Sequence, residues 1–245
     1  MITTLCFDFG NTLLKCGVFI IDRLTETIHL DDAHLGTISA VLDKYKPECT
    51  ILSSVIDHPE EIETLLAERS SFVKLNSSAK LPFTTPVSKP ETIGSDRLAL
   101  SAFAATYYEG QNTLVIALGS CITYNFINKY NSFIGGSISP GMEMRFKALN
   151  HYTAKLPLIK VDWNFPLIGY DTNTNILSGV LLGIATEIDG IIDAYSEKFG
   201  KFNVLLTGGD TTNFAQHLKN KIFADPNLIL KGLYAISKYN HDIKN

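Results

Sequence analysis

Asp8, Gly10, Asn11 and Thr12 stand directly after the apolar run Ile2-Thr3-Thr4-Leu5-Cys6-Phe7, and Lys15 follows within one turn of chain. A strand that ends in a carboxylate, a glycine and two small polar side chains brings bare backbone, amide and hydroxyl donors up to a phosphate. The carboxylate suits the hydrated magnesium that accompanies a nucleotide. The same layout recurs as Leu114-Val115-Ile116-Ala117-Leu118-Gly119-Ser120-Cys121-Ile122-Thr123. In each copy a second extended run follows, at 15–21 and 124–128, so the polar residues form a hairpin tip. One tip alone is also what turn chemistry asks for. Two in order read as a two-lobed phosphate clamp, and Val204-Leu205-Leu206-Thr207-Gly208-Gly209-Asp210 adds a third strand-to-glycine junction.

Phosphoryl transfer needs mainly positioning and charge neutralisation, plus one carboxylate to orient the acceptor hydroxyl. Asp96, in Gly94-Ser95-Asp96-Arg97, is the candidate for that carboxylate, placed after a glycine turn and ahead of an apolar helix. Ser95 and Asp96 equally suit a plain helix cap, and Arg97 suits a surface ion pair of little energetic weight. The patterns GxxxxGK[ST], GxGxxG, HExxH and GxSxG are absent. His29, His34, His58, His151, His217 and His241 have no partner at metal-ligand spacing and are read as structural or solvent-facing.

The elements that must position these residues read as an α/β chain. After the first hairpin comes a third extended segment at 26–30, then a helix with Leu35, Ile38, Val41, Leu42 and Tyr45 on one face, ending before Pro47. Residues 50–55 form a buried strand and 59–69 a helix with proline at its start. Residues 74–93, with Pro82, Pro86 and Pro90, form a loop-rich connector, followed by a helix over 97–108. Residues 132–142, with Gly135-Gly136-Ser137-Ile138-Ser139-Pro140-Gly141, are too glycine-rich for a plain strand: they suit close approach to a ligand or a bulge and turn. Leu177, Leu181, Ile184, Ile188 and Ile191 mark a helix over 175–195 that is buried or packs on a partner. Strands alternating with helices indicate an α/β sheet, divided into lobes at 1–110 and 111–245.

At 245 residues, 45% hydrophobic and 19% charged, the chain suits a folded, rather apolar protein. A formal net charge of -4 without basic clusters disfavours nucleic acid. No unbroken apolar run of about 18 residues is present and no leader is expected ahead of the first strand, so neither membrane nor secretion is expected. Cys6, Cys16, Cys49 and Cys121 lack CxxC spacing and are read as reduced and cytoplasmic.

Taken in order, the motifs resemble the type III pantothenate kinase family. They are Asp8-Phe9-Gly10-Asn11-Thr12 with Lys15, Ser53-Ser54-Val55, Gly94-Ser95-Asp96-Arg97-Leu98, Gly119-Ser120-Cys121-Ile122-Thr123 and 135–141. The series continues through Gly169-Tyr170-Asp171-Thr172, Ser178-Gly179, Thr207-Gly208-Gly209-Asp210, and Asp225-Pro226-Asn227-Leu228 with Lys231-Gly232-Leu233. The resemblance implies two ribonuclease-H-like lobes of the acetate and sugar kinase, heat-shock ATPase and actin superfamily, with an active site between them. It implies ATP- and magnesium-dependent phosphorylation of pantothenate to 4'-phosphopantothenate, the first step toward coenzyme A, by a cytoplasmic homodimer. Carried over by position, Asp8, Phe9, Gly10, Asn11, Thr12, Leu13, Leu14, Lys15 and Ser120 would bind ATP, with Asp8 near magnesium through water. Gly94, Ser95, Asp96, Arg97 and Thr172 would bind pantothenate, Asp96 as the base for its hydroxyl and Thr172 across a subunit boundary.

Two positions depart from the family. Ala117 stands where an aspartate binds a monovalent cation, potassium or ammonium, and Val87 stands where a tyrosine borders the pantothenate pocket. These departures keep two rivals open: a degenerate, nucleotide-binding member with a regulatory or interaction role, and a kinase acting on another small alcohol.

Overall fold

The structure, a computed structural model, describes residues 2–76, 79–86 and 90–242, so Val87 lies outside the described residues. The first sheet begins as an antiparallel meander of β1 (Thr3–Phe9), β2 (Leu14–Ile20) and β3 (Arg23–Leu30). Helix α1 (Leu35–Tyr45) then carries the chain to β4 (Cys49–Ser54), which lies parallel to β1 on its free side. After α2 (Glu60–Arg69), β5 (Ser71–Lys74) lies parallel to β4, giving the order β3-β2-β1-β4-β5.

Both faces of β1 are covered, which is why its sequence is apolar without strict alternation. Leu5, Phe7 and Phe9 share a core with Ile38 and Leu42 of α1 and Ile62 and Leu66 of α2. The C-terminal helix α8 (Leu228–Asp242) packs on β1, β2 and β4, and on α3 (Ser95–Tyr107). Each fully buried phenylalanine or leucine here contributes about 1.5–3 kcal/mol relative to an exposed one. Helix α3 is alanine-rich, with Ala99, Ala102, Ala104 and Ala105 buried, so α8 comes very close: a Cβ on Gly232 would sit 1.9 Å from the Ala99 carbonyl oxygen.

The second sheet repeats the plan. Its strands β6 (Thr113–Leu118), β7 (Cys121–Asn128), β8 (Ser132–Pro140), β9 (Asn203–Thr207) and β10 (Phe223–Ala224) stand in the order β10-β9-β6-β7-β8. Counted from the first strand of each sheet this is the same arrangement, with β9 parallel to β6 and β10 parallel to β9. Helix α4 (Met142–His151) follows β8, and α7 (Thr211–Phe214) is a single turn after β9. The sequence leaves 132–142 open between ligand loop and bulge. It is a strand, which Gly135 traverses at φ +113° before the chain turns at Gly141.

Helices α5 (Thr172–Leu177) and α6 (Gly183–Phe199) are joined without a break by a π-helical turn, Ser178–Leu182. This continuous helix is long and apolar enough to cross a membrane by length and composition. The sequence expectation weighed unbroken apolar runs and so passed over it. Half of its apolar stretch is buried, and Ile184, Ile188 and Ile192 are core residues.

The chain forms two compact units, Met1–Gln111 with Asn125–Gly135 and Asn227–Asn245, and Asn112–Tyr124 with Gly136–Pro226. Helix α8 thus belongs with the first sheet, whereas a single division after residue 110 assigns it to the second. Its apolar side, Leu228, Leu230, Leu233 and Ile236, is buried against that first unit.

The α3–α8 crossing yields a paired test. Gly232→Ala drives a methyl into backbone and should cost about 2–3 kcal/mol in urea unfolding. Gly190→Ala, in α6 with nothing within 4 Å of the new carbon, should gain about 0.5–1 kcal/mol from helix propensity.

Candidate active site

Strand register brings together the candidate residues of the first unit. Asp8 lies beside Lys15 of β2 on one side and Ser53 of β4 on the other, at the ends of three neighbouring strands. The hairpin tip closes through the Gly10 N–H, which donates to the Leu13 carbonyl at 3.2 Å. Asn11, Thr12 and Leu13 are exposed at the tip. Phe9 is wholly buried, edge-on to His58 at 5.7 Å, so only its backbone is available to a ligand.

Ser53 also places α3. Its hydroxyl donates to Ser95 Oγ at 3.0 Å, and Ser95 Oγ donates to the Ser54 carbonyl at 3.2 Å, both serines being buried. The start of α3 is thereby fastened to the strand ends that carry Asp8. The N-cap is Gly94, which has no side chain with which to cap, and Ser95 is engaged by the sheet. Asp96 Oδ1 fills the space beside Gly94, 2.5 Å from where a Cβ would be. A carboxylate in the first turn of α3 gains about 0.3–1 kcal/mol from the helix dipole.

The consequence for Asp8 is electrostatic. Burial, then the nearby Asp96 charge, push its carboxyl up to about 7, against a smaller pull downward from Lys15. A buried carboxylate near a second carboxylate, offset only in part by Lys15, calls for further positive charge, and hydrated magnesium is the group that would supply it. The oxygen-only donors Asp8 and Asp96, with the hydroxyl-rich tip beside them, fit such an ion.

Arg97 is not a surface ion pair. Its Nε donates to Asn125 Oδ1 at 2.7 Å, and its guanidinium lies over the Phe133 ring at 5.6 Å. Asn125 is fully buried in β7, and Phe133 is buried in β8. Sequence reasoning missed both, although a lone amide inside the apolar stretch Tyr124–Ile127 was the available signal for Asn125.

In the second unit three glycine junctions come together. The Gly141 N–H donates to the Ser120 carbonyl at 3.1 Å, and a Cβ on Gly141 would lie 2.1 Å from the Gly119 oxygen. A Cβ on Gly208, at φ +98°, would lie 2.2 Å from the Leu118 oxygen, and the Asp210 N–H donates to that same carbonyl. Only glycine permits these approaches. Gly119 and Ser120 remain exposed at the tip. Burial pushes the Asp210 carboxyl up, a hydrogen bond from Asn213 pulls it down, and Glu143 raises it further.

Thr172 opens α5. Asp171 caps this helix with a reciprocal capping box, accepting from the Thr174 N–H at 2.8 Å. A Cβ on Gly169 would collide with the Asn175 backbone, which accounts for glycine there. Thr172 is exposed and borders a cavity of about 820 Å³ with Arg145, Tyr152, Asn175, Ile176 and Gly179. The π-helical turn supplies Gly179 to this wall, and such turns gather at functional sites. Arg145 is held by Glu187, which also accepts from Tyr124 at 3.1 Å. Ala117, paired with Thr207 of β9, presents only a methyl group.

The sequence profile of the type III pantothenate kinase family matches residues 4–194. The chain belongs to this family. It is 39% identical to the type III pantothenate kinase of Christiangramia forsetii over 238 residues, covering 96% of this chain and 98% of that one. It is 42% identical to that of Cytophaga hutchinsonii over 233 residues, covering 95% and 97%. Among solved structures, a Baf family protein of Campylobacter jejuni matches with a TM-score of 0.61 at 24% identity, covering 97% and 99%. A ROK family glucokinase of Streptomyces griseus, solved with glucose and AMPPNP, matches at 0.52 and 12% identity, covering 98% and 99%. At these identities the two structures speak for the fold alone. That fold is α/β, built on two mixed five-stranded sheets with helices.

The raised Asp8 carboxyl fixes a sign for stability. Between about pH 4 and pH 7 the folded chain retains a proton on Asp8 that the unfolded chain has released, so its contribution falls as pH rises. Asp8→Asn removes that loss. In metal-free urea unfolding the variant should match the parent below pH 4 and exceed it above pH 7 by up to about 4 kcal/mol.

Proposed function

We propose that the chain transfers the γ-phosphoryl group of ATP to the primary hydroxyl of pantothenate, giving 4'-phosphopantothenate on the way to coenzyme A. The observation that carries this reading is Asp96 fastened beside Asp8 through Ser53 and Ser95. Asp96 accepts the proton of the acceptor hydroxyl, and Gly94, Ser95 and Arg97 form the wall around that alcohol. Arg97, held by Asn125 and backed by Phe133, points a fixed cation at the substrate. Residues 8–15 take the nucleotide phosphates through the open backbone at Gly10, the Asn11 and Thr12 side chains and Lys15. Ser120, on its glycine junction, offers a hydroxyl to phosphate in the second unit. Asp8 would hold magnesium, and the ion when bound would neutralise phosphate charge.

The chain is proposed to act as a cytoplasmic homodimer. Tyr152, Leu167, Ile168 and Tyr170 are 83%, 78%, 84% and 80% exposed, an apolar stretch that runs up to Thr172. Surfaces of this kind mark interfaces, and a partner covering it would bring Thr172 to a substrate at the boundary.

A monovalent cation held by a carboxylate does not fit at position 117. The oxygen beside Ala117 is the neutral hydroxyl of its strand partner Thr207, buried and without a hydrogen-bond partner among the described residues. A second reading, nucleotide binding without turnover, draws on this loss, while the fastened Asp96 and Arg97 argue for an active enzyme.

One coupled assay of ADP release with pantothenate tests both points. Asp96→Asn should lower kcat roughly a hundredfold or more, and near-normal turnover by that variant would remove Asp96 from the chemistry. Replacing potassium by sodium should leave the rate of the parent chain unchanged within about twofold; a steep potassium requirement would contradict the reading of Ala117.

A further inference from the structure

Helix α3 carries Asp96 at its start, and at its other end, about 18 Å away at 1.5 Å per residue, it borders a separate cavity of about 580 Å³. Asp22, Tyr107, Glu109, Tyr234, Lys238 and Tyr239 are among its walls. None of them belongs to the phosphate-transfer machinery.

Two of the phenol rings are braced from behind. Tyr107 stacks on Phe103 with centroids 4.7 Å apart, and Tyr234 stacks on Phe19 at 4.3 Å and an interplanar angle of 8°. Tyr234 is buried in this stack and forms the floor, whereas Tyr107, half-exposed and backed by Phe103, has a ring face to offer. Burial pushes both phenols up, so they stay neutral at physiological pH.

The charges on the rim add to a net negative value. Asp22 and Lys238 pair at 3.0 Å and cancel, which leaves Glu109. The Tyr234 hydroxyl lies 2.8 Å from the Asp22 carboxylate and 2.5 Å from the Ile21 carbonyl, so that pair is locked in place.

The β2–β3 turn is built for this position at a cost. Ile21 adopts φ +56°, a left-handed conformation that a β-branched residue rarely takes. A turn of no further purpose would carry glycine or asparagine there. Here Tyr234 clamps the strained residue, and the clamp sets Asp22 at the cavity edge. Strain of this kind collects at ligand clamps.

A braced, accessible aromatic ring with a surplus carboxylate, and no cation beyond the paired Lys238 among the described wall residues, suits a positive, partly apolar guest. The volume is far larger than a bare metal ion requires. We propose that this cavity binds a small organic ammonium ion, such as a quaternary or primary amine, over the ring face of Tyr107 with Glu109 as counter-charge.

Isothermal titration calorimetry on the full chain with choline tests this, beside its neutral carbon isostere 3,3-dimethylbutan-1-ol. Choline should bind saturably and the isostere at least tenfold more weakly. Tyr107→Leu and Glu109→Gln should each weaken choline at least fivefold, while Asp96→Asn should leave it unchanged. Glu109 is exposed, so its variant reports even if Tyr107→Leu disturbs folding. Absence of saturable choline binding, equal binding of the isostere, or loss of binding in Asp96→Asn alone would each overturn the proposal. ADP release measured on the same samples reports separately on the kinase reading.

Discussion

Two carboxyl groups are held together before any ligand is present. Asp8 ends the central strand of the first sheet and Asp96 opens α3, and what fixes their proximity is the contact of Ser53 with Ser95 and the Ser54 backbone. Left alone, the pair is unfavourable: burial first, and then the Asp96 charge, make Asp8 hold its proton up to about pH 7. The fold accepts that cost because β1 is anchored on both faces by buried apolar side chains. Under the proposed function, a hydrated divalent cation with polyphosphate would turn the same arrangement from a penalty into a binding site, since phosphoryl transfer asks for positioned charge rather than covalent chemistry.

The second unit reuses the plan with different means. Its strand order repeats that of the first sheet, yet its glycine junction carries no carboxylate at Ala117. Precision there comes from backbone packing, with Gly141 against Gly119 and Gly208 against Leu118 at distances that no side chain could share. The two units thus differ in construction: the Asp8 and Asp96 carboxyl groups stand together in the first, while in the second backbone closes on backbone with the half-buried Asp210 beside it.

Much of this was legible in the sequence because it is local. A strand ending in Asp8-Phe9-Gly10-Asn11-Thr12, a glycine ahead of Asp96, and the helical spacing of Leu35, Ile38 and Leu42 are all short-range signals. The contacts that tune the site are not local. Ser53 and Ser95 meet only because β4 lies in register beside β1, and Asn125 reaches Arg97 from a strand in the second sheet. The return of α8 to the first unit was hidden as well, since an amphipathic helix does not announce which sheet it covers. Leu13 and Phe9 show a finer limit: neighbours in one motif, one is exposed and the other wholly buried.

The coupling of Asp8 to Asp96 is the claim on which the account rests, and carboxyl-carbon NMR titration of Asp8 reads it directly. In the metal-free chain Asp8 should titrate near 7, with a clear downward shift when Asp96 is replaced by asparagine. An Asp8 that titrates near 4, or that is indifferent to Asp96→Asn, would show that the two groups do not share a site.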